Sequence, residues 1–146
     1  MRRLATICLL AVAAGCGGGD GERSDWAEGA NAACREANAE AEEIPEPETP
    51  EQVTAAVQRF AGVARRLNAR LRALRPAPDE RERADRMVAA YARVIPILQG
   101  MADALRQGDQ PTFQMLQTRA RELGSEGDRL ANMLGANDCV YSATSE

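Results

Sequence analysis

The chain has 146 residues, with 22 acidic side chains against 18 basic ones and a net charge of −4. That balance lacks the basic surplus of nucleic-acid-binding proteins, so nucleic acid is not an expected partner. The sequence contains no histidine, the commonest general base and metal ligand. No catalytic residue, cofactor or metal site is therefore expected.

Arg2 and Arg3 precede an apolar stretch, Leu4 to Ala14. Its length suits the core of a signal peptide and falls short of the roughly 20 residues of a permanent membrane span. Ala13-Ala14-Gly15-Cys16 closes it. Small residues suit a signal-peptidase groove, and a cysteine directly after the cut is the acceptor in bacterial lipoprotein processing. Residues 1–15 are expected to be removed between Gly15 and Cys16, and Cys16 to carry diacylglycerol and a palmitate-like acyl chain. Ala13 departs from the leucine more usual in this lipobox. Loss of Arg2 and Arg3 takes the net charge from −4 to −6.

Cys16 and the glycine-rich residues up to Arg23 are expected to form a flexible tether of about 15 Å. The helical domain follows over residues 24–139, with a short tail over 140–146. The first helix is expected from Ser24 or Asp25 to Glu43, with an alanine-rich stripe through Trp26, Ala30, Ala33, Cys34, Ala37 and Ala41. Ile44-Pro45-Glu46-Pro47-Glu48 is then an extended linker, because each proline disfavours helix at the residue before it.

Thr49-Pro50-Glu51-Gln52 reads as a capping box opening the second helix. Val53, Val57, Phe60, Ala64, Leu67, Leu71 and Leu74 alternate steps of four and three, the period of a helix-bundle seam. Arg75-Pro76-Ala77-Pro78 ends this helix, and Pro78 or Asp79 starts the third. The third seam holds Ala84, Val88, Tyr91, Ile95, Leu98, Ala102 and Leu105, up to the turn Gly108-Asp109-Gln110-Pro111. The fourth holds Phe113, Leu116, Ala120, Leu123, Gly127, Leu130 and Leu134 and stops at Gly135, a favourable C-cap. Long amphipathic helices joined by short turns predict an all-α, antiparallel four-helix bundle. With four stripes closing one core, the domain is expected to be a monomer.

Several side-chain groups invite a chemical reading. Glu40, Glu42, Glu43, Glu46 and Glu48 cluster in sequence, but the prolines spread them where a calcium site needs a tight loop. Arg59, Arg65, Arg66, Arg70, Arg72 and Arg75 make the second helix basic, and Arg59, Arg65, Arg66 and Arg72 are expected on its solvent face. Attraction to anionic headgroups, contact with an acidic partner, or charge balance against the acidic first helix all fit them. Met87, Met101, Met115 and Met133 read as core filler rather than soft-metal ligands. Pro96 predicts a kink in the third helix, and Ala64, Ala84 and Ala102 leave room for a small apolar ligand.

Cys8 leaves with the signal peptide and Cys16 is modified, so Cys34 and Cys139 remain as a pair. Outside the cytoplasm such a pair is read as a disulfide. The tail after Gly135 reaches Cys34 if the first helix sits low in the bundle, a shift for which the proline linker supplies slack.

The lipobox-like segment ending at Cys16, Ala33-Cys34-Arg35, the Ile44-Pro45 break, Arg75-Pro76-Ala77-Pro78-Asp79, Gly108-Asp109 and Leu134-Gly135-Ala136-Asn137-Asp138-Cys139 follow one another along the chain. Together they resemble small helical bacterial lipoproteins of actinobacterial type. The resemblance implies a disulfide-tied helical domain on a membrane and supplies no activity. The expected role is that of an exported, lipid-anchored binding or scaffolding module of the cell envelope, with a protein partner there. An extracytoplasmic carrier or sensor for a small apolar ligand is the alternative.

Overall fold

The computed structural model describes residues 20–140. Gly15, Cys16, the expected signal peptide and the first part of the expected tether lie outside them. Four helices follow in order: α1 (Asp20–Glu42), α2 (Pro50–Ala73), α3 (Arg81–Gln107) and α4 (Gln110–Leu134). A single 3₁₀ turn, Asn137–Cys139, ends the chain of elements. Among the described residues there is no strand.

Capping chemistry sets most of the boundaries. At the start of α2 the Thr49 hydroxyl accepts from the Gln52 N–H, and the Gln52 side chain accepts from the Thr49 N–H. Asp109 caps α4 by accepting from the Thr112 N–H at 3.1 Å. The hydrogen bonds from Thr112 hold the Asp109 carboxyl below its ordinary value because they favour the charged form. Gly108 and Gly135 end α3 and α4 with φ of 69° and 74°. This left-handed geometry lets the next N–H groups turn back onto the last carbonyls.

Two boundaries differ from the sequence reading. The third helix begins at Arg81 rather than Pro78 or Asp79, and Glu80 occupies the cap position without a side-chain cap. The first helix begins at Asp20, so residues 20–23 of the expected tether are helical. α3 continues through Pro96 as one helix, with the proline on an exposed surface. An outward position spares the core from the missing N–H.

The helices pack in sequence order, with α3 against both α2 and α4 and α1 against α2. Contacts between α1 and α2 run in opposite order along the two helices. Leu74 lies against Gly29, Arg70 pairs with Glu36 at 2.8 Å, and Arg66 pairs with Glu40. Continuing that register brings the end of α1 beside about Ala64, so the first 14 residues of α2 rise about 20 Å beyond it. The seven residues from Glu43 to Thr49 can cover about 23 Å when extended. A proline-stiffened linker is what that climb requires.

The contiguous core therefore lies in the half of the bundle that α1 covers. α1 contributes Trp26, Ala30, Ala33, Cys34 and Ala37, packed against Leu67 and Leu71 of α2, Met87 and Tyr91 of α3 and Leu130 and Leu134 of α4. Its alanines let the backbone approach closely but bury little area each. Other groups make up the hold. After Gly135 the chain turns back along α1, where Asn31 donates to the Gly135 carbonyl and accepts from the Asp138 N–H. Asn38 donates to the Asp138 carbonyl, and Arg35 pairs with the Asp138 carboxylate at 2.5 Å. The Cys34 and Cys139 sulfurs are at bonding distance, with their α-carbons 5.0 Å apart. Tyr91 of α3 closes the clasp by donating to the Cys139 carbonyl at 2.8 Å.

Candidate functional site

The basic face of α2 divides into two sets. Arg66 and Arg70 reach across to Glu40 and Glu36 of α1. Arg66 is exposed, on the solvent face expected for it, and from there takes part in internal charge balance with Glu40. The hydrogen bond from Arg66 holds the Glu40 carboxyl below its ordinary value, aided by the positive charges of Arg66 and Arg70. Exposed pairs of this kind contribute little stability each; they fix how far α1 slides along α2. The second set, Arg59, Arg65, Arg72 and Arg75, is exposed and makes no ion pair among the described residues.

The glutamates from Glu42 to Glu48 stand exposed along the linker. No cluster of three potential ligands from His, Cys, Asp and Glu occurs among the described residues. Met87 and Met101 are buried whereas Met115 and Met133 are exposed, so the four methionines do not converge.

A cleft opens elsewhere, at the end of the bundle where α1 begins. Its volume is about 500 Å³, and its walls are Asp25 and Trp26 of α1, Leu74, and Arg75, Pro76, Pro78 and Arg81 around the α2–α3 turn. A narrower arm of about 190 Å³ shares Trp26, Leu74 and Pro76 and continues between α2 and α3. Leu71, Ala84, Val88 and Ala89 border that arm together with Arg72 and Asp85. Of the three alanines expected to leave room, Ala84 borders this arm. Neither cavity is bordered by Pro96.

The local sequence makes this site stiff. Pro76 and Pro78 fix two φ angles of the turn, and Ala77 between them is 2% exposed. The Glu80 N–H donates to the Ala77 carbonyl at 3.0 Å, so the turn is tied at both its core and its exit. Trp26, the one tryptophan of the chain, is 2% exposed and forms a wall rather than a lid. Arg75 and Arg81 are exposed and form no ion pair among the described residues. Sequence reasoning named Trp26 and Arg75 separately and did not place them together. Their partnership arises only when α1 is laid on α2 with its start beside the end of that helix.

No described helix is long and apolar enough to cross a membrane. The chain matches no family model, no curated protein and no solved structure.

Proposed function

We propose that the chain is an exported lipoprotein whose antiparallel four-helix bundle binds a partner or ligand at the membrane surface. The observation that carries this reading is Arg2-Arg3, the apolar stretch Leu4 to Ala14, and Ala13-Ala14-Gly15-Cys16 in succession. A charged start, a short apolar core and a small-residue cut before cysteine are what export and lipidation need. The cystine between Cys34 and Cys139 supports an oxidising compartment outside the cytoplasm. The cleft supports binding rather than reaction, since its walls offer guanidinium, indole, pyrrolidine and carboxylate groups suited to recognition. We take the domain to be a monomer on its anchor.

Each buried acyl methylene contributes about 0.8 kcal/mol, so two or more chains hold a protein to a bilayer. Cys16→Ser is therefore expected to move the protein from the membrane fraction to the soluble fraction of exporting cells. Retention of the variant on membranes in carbonate-washed fractions would reject the anchor.

A further inference from the structure

We propose that two severable covalent links in parallel hold α2, α3 and α4 to the anchored α1, and that they leave the membrane only when both are cut. One link is the linker from Glu43 to Thr49, open to a glutamyl endopeptidase. The other is the cystine between Cys34 and Cys139, open to a dithiol reductant. The inference rests on the lipid-anchored reading for what is released, and on the described residues for the two links themselves.

The first observation is connectivity. Cys16 precedes α1 in the sequence, Cys34 lies on α1, and Cys139 lies beyond α4. A chain cut in the linker therefore still carries α2, α3 and α4 on α1 through the cystine. Reduction alone leaves the linker whole. Neither break by itself frees the three helices.

The second is exposure. Glu42, Glu43 and all of residues 45–49 are exposed, and exposed connections are where proteases nick a folded chain. Glu46 is followed by Pro47, whereas Glu42, Glu43 and Glu48 are followed by Glu43, Ile44 and Thr49. Three glutamyl bonds are thus free of a blocking proline. The other connections offer no equivalent: the α3–α4 turn at Gly108 and Asp109 contains no glutamate, and Glu80 before α3 is buried.

The third is how little else holds α1. Apart from Trp26 and Cys34 its buried stripe is alanine, which buries little area per residue. The ion pairs of Glu36 and Glu40 with Arg70 and Arg66 are largely solvent-exposed and weak for that reason. Once both links are cut, α1 stays with the lipid and the other three helices separate from it.

The chemistry of each step balances. Hydrolysis adds one water across a glutamyl peptide bond. Exchange passes through a mixed disulfide; it transfers two hydrogens from the dithiol to the Cys34 and Cys139 sulfurs and leaves the reductant as a cyclic disulfide. Both cysteines are fully buried, so the reductant reaches them as α1 lifts from the core.

The full lipidated chain is reconstituted into phosphatidylcholine vesicles and treated with glutamyl endopeptidase, with dithiothreitol, with both, or with neither. Flotation then separates bound from released protein. The polypeptide carrying α2 to α4 is expected to float after either treatment alone and to be lost from the vesicles after both. In the Cys34→Ala/Cys139→Ala variant the endopeptidase alone is expected to release it. Release from the wild type by one treatment, retention after both, or a first cut outside residues 42–49 would overturn the proposal.

Untreated protein that does not float has lost the anchored reading and not the two links. These are then read by gel filtration of the nicked chain. One species that separates into two only on adding dithiothreitol supports them, and two species before reduction reject them.

Discussion

Replacing both Cys34 and Cys139 with alanine is expected to lower the unfolding free energy by about 4 to 5 kcal/mol. The two residues are 105 apart in sequence, and closing so long a loop removes much of the freedom of the unfolded chain. The effect also has a definite location. Apart from Trp26 and the cystine itself, the buried stripe of α1 is made of alanines, which contribute little area to hold it down. Its remaining ties are the Asn31, Arg35 and Asn38 clasp on the tail and the exposed pairs of Glu36 and Glu40 with α2. Loss of the cystine should therefore release α1 before the other three helices. Urea unfolding of the wild type and the double variant measures the free energy. Limited proteolysis should show earlier cleavage in the linker from Glu43 to Thr49.

Gly127→Ala is expected to destabilise the domain by about 1 to 3 kcal/mol, although alanine ordinarily favours a helix. A Cβ at this position would come within 2.8 Å of Tyr91 Cδ1 and closer still to Cε1. The ring cannot swing aside freely, because its hydroxyl donates to the Cys139 carbonyl at 2.8 Å. Moving it loosens the clasp that holds the tail, so the strain spreads from the α3–α4 contact to α1. Gly124 provides the internal control. Nothing lies within 4 Å of a Cβ added there, and Gly124→Ala is expected to stabilise by about 0.5 to 1 kcal/mol. Thermal unfolding of the two variants should shift in opposite directions.

Gly127 shows how far the sequence could be read. It falls in the seam of the fourth helix at the spacing of its apolar neighbours, and this placed it inward without revealing what it touches. The same seams located α2, α3 and α4 to within a few residues, because heptad-like spacing and capping residues are local signals. The start of α1 carries no such signal. Gly21 and the polar residues around it read as tether, and the helix there begins at Asp20.

The clasp was hidden for a different reason. Asn31, Arg35 and Asn38 are polar side chains on an alanine-rich helix and carry no local signal of a partner. Their spacing of four and three was visible, but the tail they hold lies about 100 residues away in the chain. Arg66 was placed correctly on the exposed face, but the sequence did not say which acid of α1 it would meet; the register of α1 on α2 makes that Glu40. The cleft was least legible of all. Its walls join residues separated by about 50 positions, from Trp26 to Arg75, and no motif links them.

The intact mass of the protein extracted from membranes of cells expressing the full chain tests the central claim most directly. The lipoprotein reading predicts a polypeptide beginning at Cys16, heavier than residues 16–146 by a diacylglyceryl group and any further acyl chain. A polypeptide in the membrane fraction that retains residues 1–15, or one whose Cys16 carries no lipid, would contradict it.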